Sequence, residues 1–162
     1  MMAGIVERWF VDTNVLVAAT DTSRGSHPAA FALWEYAGRS GILLALSGQV
    51  LRKYAVVATR PVAANGLGLA VDDAMANMEA FHLRAEFLPE TEKAWTLWQE
   101  LVLRHGTAGK RLHDVNIVAT LLSAGIRCLV TDSVSDFEAF ADSECLTPAQ
   151  AVERLARTIS DS

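Results

Sequence analysis

Short apolar runs alternate along this chain with longer stretches in which large hydrophobic side chains recur every three or four positions. The runs Trp9–Val11, Ile42–Leu46, Cys128–Val130 and Cys145–Leu146 read as short buried strands, and Phe87 with Leu88 as a further extended piece. Helical spacing predicts helices over Pro28–Gly38 with Phe31, Leu33 and Trp34 inward, and over Asp72–His82 with Met75, Met78 and Phe81 inward. The same spacing predicts a helix over Thr91–Arg104 with Trp95, Trp98 and Leu101 together. Ser47 is placed to cap a helix that runs towards Thr59 and that Pro61 ends, because proline clashes with a preceding turn. Gly66 and Gly68 mark a loop. A helix over His113–Ala124 is stopped by Gly125, and Thr147-Pro148-Ala149-Gln150 has the form of a capping box with proline at the first helical position. No element is predicted between Asp12 and Pro28.

Strands that alternate with helices imply an α/β fold, a parallel doubly wound sheet covered by helices on both faces. The 162 residues suit one domain spanning 1–162, and no repeat or linker divides it. With 51% hydrophobic and 20% charged residues, the balance excludes extended disorder. The start of the chain lacks the apolar core of a signal peptide or membrane span, so a cytoplasmic location is expected. Cys128 and Cys145 both sit in apolar surroundings and are expected as free thiols. The net charge of −5 neither requires nor excludes nucleic acid, since local cations or bound metal can offset it. Two basic groups are available for such a patch: Arg52, Lys53 and Arg60, and Arg104, Lys110 and Arg111.

The candidate chemistry lies in the aspartates. Asp12 directly follows a strand, Asp114 falls in the first turn of an apolar helix, and Asp132 and Asp136 follow the strand ending at Val130. Carboxyl ends of strands are where ligand crevices form in open α/β sheets, and a helix N-terminus favours an ionised carboxylate. Carboxylates about 4 Å apart repel by roughly 4 kcal/mol at an effective dielectric of 20, which calls for a cation or a shared proton. An all-oxygen set suits magnesium or manganese. Taken singly, each aspartate also fits a turn or cap role, and Asn14 and Thr131 fit local loop hydrogen bonds. The chain offers no Gly-rich phosphate loop, no zinc spacing among His27, His82, His105 and His113, and no serine in a nucleophile elbow.

Four segments in order, Phe10-Val11-Asp12-Thr13-Asn14-Val15-Leu16, Ser47-Gly48-Gln49-Val50-Leu51, Leu112-His113-Asp114-Val115-Asn116-Ile117-Val118-Ala119-Thr120, and Leu129-Val130-Thr131-Asp132-Ser133-Val134-Ser135-Asp136-Phe137, resemble the signatures of PIN domains. In length and style the chain is similar to the VapC ribonuclease toxins of toxin–antitoxin pairs. That resemblance implies a three-layer α/β/α fold and a ribonuclease that uses magnesium or manganese. It also implies an RNA substrate, a cognate antitoxin protein and a homodimer, with no membrane. Asp12, Asp114 and Asp136 match the catalytic acids and metal ligands, and Asp132 is an extra acid beside them. Thr13, Asn14, Thr131, Ser133, Lys53 and Arg60 are the candidate substrate contacts.

Two positions depart from the family pattern. Lys53 stands where a metal-supporting glutamate is usual, and Ser133 stands where asparagine or aspartate is common. The alternative reading is therefore a PIN-like module that binds RNA or protein without cleaving.

Overall fold

The computed structural model describes Gly4 and residues 6–162. Among these, five strands form one parallel sheet: β1 (Arg8–Val11), β2 (Leu43–Ser47), β3 (Glu86–Leu88), β4 (Cys128–Val130) and β5 (Glu144–Leu146). Their spatial order is β3-β2-β1-β4-β5, with Phe10 facing Ala45 on one side and Leu129 on the other. Trp9, Phe10 and Val11 are all buried, as are Leu44–Ser47 and Cys128–Val130. Strands covered on both faces read as unbroken apolar runs, which is why these segments show no alternation.

Seven α-helices cover the sheet: α1 (Thr13–Thr20), α2 (His27–Ser40), α3 (Gly48–Thr59), α4 (Val71–Leu83), α5 (Glu92–His105), α6 (Arg111–Ser123) and α7 (Pro148–Ser160). Helix α2 packs against α1 and α7, α3 against α1 and α4, and α5 against α6, giving the expected helix–sheet–helix layers. Helix α1 was not predicted. Its Val15, Leu16, Val17 and Ala18 are all buried, so it is apolar around its circumference and carries no amphipathic period.

Two side chains expected inside, Phe31 and Met75, lie outside, and so does Trp95. Phe31 is 66% exposed, Met75 54% and Trp95 56%, because each sits off the face its helix buries. Helix α2 buries Ala30, Leu33, Trp34 and Ala37, and α5 buries Ala94 and Leu101. Trp95 instead stacks on Trp98 at 5.2 Å. Ser47 does occupy the cap position of α3, but its hydroxyl is buried without a partner. The capping box of α7 forms as expected: Gln150 N donates to Thr147 Oγ1 at 3.2 Å, and Thr147 N donates to Gln150 Oε1 at 2.9 Å. Both cysteines are free, and burial pushes the Cys128 thiol up to about 12. No helix among the described residues is long and apolar enough to cross a membrane.

The order of the strands reverses at β1. From β1 the chain builds outward through β2 and β3, then returns on the other side as β4 and β5. The crevice outside the carboxyl ends of β1 and β4 is the topological switch point, where ligands bind in sheets of this kind.

Candidate active site

Strand β1 delivers Asp12 to that switch point, where the residue is only 6% exposed. Both carboxylate oxygens are engaged: Thr13 N donates to Oδ1 at 2.7 Å and Thr131 Oγ1 to Oδ2 at 2.9 Å. Burial raises the Asp12 pKa, opposed by these two hydrogen bonds and by the Lys53 charge, while the charge of Asp114 raises it further. Thr131, fully buried at the end of β4, is the hub of this wall. Besides donating to Asp12 it accepts from Asn14 Nδ2 at 3.2 Å and from Ser133 N at 3.0 Å. Asn14 Nδ2 also reaches Ser133 Oγ at 3.2 Å, which ties α1 to the loop after β4. Thr13 Oγ1 donates to Val50 O at 3.0 Å and so locks α1 to α3.

Asp114 enters from the first turn of α6. That turn is held from two sides: Trp98 Nε1 donates to Leu112 O at 3.0 Å, and Gln49 Nε2 donates to His113 O at 2.9 Å. Burial raises the Asp114 pKa, and the Asp136 charge adds to this, whereas Lys53 and Arg111 oppose it. Asp136 belongs to a short 3-10 turn, Val134–Asp136. Arg111 holds that turn, with Nη1 3.4 Å from Asp136 Oδ1 and Nη2 donating to its carbonyl at 2.6 Å.

Asp12, Asp114 and Asp136 thus line one cleft of about 160 Å³, together with Thr13, Asn14, Lys53, Ser133 and Arg24. Three of the expected site residues do not line it: Thr131, expected as a substrate contact, is fully buried behind Asp12 with no surface to offer a ligand, and Asp132 and Arg60 lie elsewhere. Past the end of β4 the side chains alternate, Thr131 inward and Asp132 outward, and Asp132 Oδ2 accepts from Ser26 Oγ at 3.0 Å at the surface. Asp132 therefore contributes its backbone, its N donating to Asn14 Oδ1 at 3.1 Å, and no carboxylate to the cleft. Arg60 sits at the C-terminal end of α3, exposed and outside the cleft, because the helix carries it away from the switch point. Its carbonyl is instead crossed closely by the following loop, where a side chain at Gly66 would collide with it.

Arg24 is the charged cleft residue that the sequence did not single out. It lies between α1 and α2, with Nε 3.2 Å from Asp21 Oδ2, and Asp21 Oδ1 also accepts from Ser23 N at 3.0 Å. The Asp21-Thr22-Ser23-Arg24 run signals such a local turn, but nothing in it says that the turn faces the acids.

The side-chain donors are oxygens, as a hard divalent cation requires. Among the described residues no three acidic, histidine or cysteine side chains close tightly enough to cage an ion, and Asp136 is paired with Arg111. Two facing carboxylates whose pKa burial raises are still the groups that a cation relieves, so the donor set fits magnesium or manganese in its chemistry.

A family model described as the PIN domain matches residues 9–142, from β1 through the turn that carries Asp136. The chain belongs to the PIN domain family. This PIN domain is similar in fold to VapBC2 from Rickettsia felis bound to a DNA fragment from the promoter, at 16% identity and TM-score 0.66, covering 86% of this chain and 98% of that one. It is also similar to DNA-bound VapBC from Salmonella typhimurium, at 19% identity and TM-score 0.63, covering 89% and 99%. A third similar structure is VapC20 of Mycobacterium tuberculosis, described as a toxin cleaving the sarcin-ricin loop, at 21% identity and TM-score 0.58, covering 80% and 92%. No curated protein sequence matches the chain.

Proposed function

We propose that this PIN domain is a metal-dependent endoribonuclease and the toxin of a toxin–antitoxin pair, with Asp12, Asp114 and Asp136 as its catalytic acids. The carrying observation is that these three, from distant segments, line one cleft at the switch point of the sheet. Support for the partner comes from the similar folds of VapB–VapC complexes. A cognate antitoxin, a homodimer and a cytoplasmic location belong to the same reading.

Asp12 and Asp114 would hold magnesium or manganese, with Asp136 and Ser133 on the facing wall. When bound, such an ion lowers the pKa of a water nucleophile and neutralises charge on the phosphate. The protein's own residues then do the positioning. Thr131 and Thr13 fix the Asp12 carboxylate, and the Trp98 and Gln49 hydrogen bonds fix the turn carrying Asp114. Lys53 and Arg24 bring positive charge to the mouth, where a phosphodiester of an RNA strand enters.

One observation favours a second reading, a PIN module that binds RNA without cutting it: Lys53 lines the cleft, and its charge opposes the rise that burial gives the pKa of Asp12 and Asp114. The test is incubation of the purified protein with single-stranded or loop RNA in magnesium or manganese. Cleavage that both chelator and Asp12→Asn abolish supports the nuclease. Cleavage that survives both overturns it, and RNA binding without cleavage selects the second reading.

A further inference from the structure

Beside the acid cleft, across Asp114, lies a second cavity of about 300 Å³ at the junction of α5 and α6. Its walls include His105, Arg111, Asp114 and Phe140. It shares Asp114 with the first cleft, so whatever occupies one adjoins the other. We propose that this second cavity is the subsite for a nucleotide next to the scissile phosphate of a single-stranded RNA, with His105 as the platform for its base and Arg111 as the contact to its phosphate. The proposal rests on RNA being the ligand of the acid cleft.

The cavity presents the two chemistries that single-stranded nucleic acid requires, a ring face for a base and a fixed cation for the backbone. His105 is exposed at the end of α5, and its ring packs edgewise on the buried Phe140 at 4.8 Å. Phe140 supports the imidazole from within and leaves the ring held at the cavity wall. The chain then turns sharply through Gly106 and Gly109, whose φ values of 60° and 66° suit glycine, and this brings α6 and Arg111 to the opposite wall.

Arg111 is fixed by its two contacts to Asp136. A guanidinium has five N–H donors, so the others remain available to phosphate oxygens. One residue therefore tethers an acid of the first cleft and offers its fork to the second. No metal is required for either contact.

The test measures binding of a fluorescent single-stranded pentaribonucleotide in magnesium, in an Asp12→Asn background that separates binding from cleavage. Cleavage by the parent protein is assayed alongside. Adding His105→Ala is expected to weaken binding about tenfold, within the range for one base–aromatic stack, and His105→Phe to retain affinity. Adding Arg111→Gln is expected to reduce the slope of log affinity against log salt by about 0.7, one phosphate contact on a single strand. If the oligonucleotide binds and His105→Ala changes nothing, the subsite is overturned while the nuclease reading stands on its own assay. If His105→Ala weakens binding but the parent protein never cleaves, the subsite stands as a nucleotide site beside the acid cleft and the nuclease reading falls. If the oligonucleotide does not bind while the parent protein cleaves, the subsite falls and the nuclease reading stands, and if there is neither binding nor cleavage, both fall.

Discussion

On the sheet side of the cleft Asp12 is 6% exposed with both oxygens hydrogen-bonded, whereas on the outer side Lys53, Arg24 and Arg111 are exposed and Asp136 is half-buried. The inner wall is made by the fold: Asp12 is placed by a central strand, Thr131 by the strand paired with it, and Asn14 by the helix that follows β1. The outer wall is a balance of charges on helix faces and loops. Changes inside should therefore break several hydrogen bonds at once and act on folding and activity together. Changes outside should act one charge at a time and leave the fold alone.

The largest expected effect comes from the inner wall. Asp12→Asn removes the charge while keeping the shape, and should lower RNA cleavage at least about a hundredfold, since even partners behind a metal ligand are worth about 10–100-fold. The same variant tests the electrostatics without any substrate. Because burial raises the folded-state pKa of Asp12 above its ordinary 3.8, ionising it opposes folding. Its favourable contribution is full below the ordinary value and is lost as pH rises through the folded value. Metal-free thermal melts should thus show wild type losing ground to Asp12→Asn as pH climbs from 3.8 towards neutrality. A constant difference in Tm across that range would contradict the assigned burial.

Next in size is Thr131→Val, which is nearly isosteric but removes a hydroxyl making one donor and two acceptor contacts. Buried partners left unsatisfied cost about 1–3 kcal/mol each, and partial relaxation should leave a net loss of about 2–3 kcal/mol. A urea midpoint that does not fall would show that the inner wall is not a cooperative unit.

What the sequence could reveal about these walls follows the range of each interaction. Asp12, Asp114 and Asp136 were legible because their positions relative to strand ends and a helix start are local facts, and the Thr147–Gln150 capping box is closed within four residues. Helix α1 escaped notice because burial on all sides erases the helical period that betrays a surface helix. Phe31 and Met75 lie outside against expectation because spacing identifies an apolar stripe without saying which edge of it another element covers. The Asp132 carboxylate and Arg60 fell outside the cleft for a similar reason, and the Arg111–Asp136 contact spans 25 residues that no local pattern connects.

A smaller effect is expected at Lys53 on the outer wall. Lys53→Glu removes a cation whose charge bears on Asp12 and Asp114 and restores a carboxylate. Because the position is exposed and solvent screens it, the gain in magnesium or manganese affinity should be about tenfold. RNA cleavage should rise with it, while thermal stability without metal stays within about 0.5 kcal/mol of wild type, as for an ordinary surface change. Calorimetric titration that finds equal or weaker binding would remove position 53 from the site.

The smallest predicted change probes the support that lies between the two walls. Trp98 packs against the core, stacks with Trp95 and donates from Nε1 to Leu112 O, two residues before Asp114. Trp98→Phe keeps an aromatic ring in the same place and deletes that donor. Leu112 sits in the first turn of α6, and its carbonyl can turn to water because the residue is only half-buried. The loss should therefore be that of one ordinary hydrogen bond plus some packing, about 1 kcal/mol in a urea titration. Gln49 still holds His113 O from the other side, so Asp114 should stay in the cleft and cleavage should fall no more than about threefold, under one factor of ten per 1.4 kcal/mol. The pair of measurements separates two kinds of support. A stability loss with nearly unchanged cleavage places Trp98 with the scaffold, whereas a collapse of cleavage at unchanged stability would mean that the Trp98 hydrogen bond alone aims Asp114 and that the Gln49 contact does not.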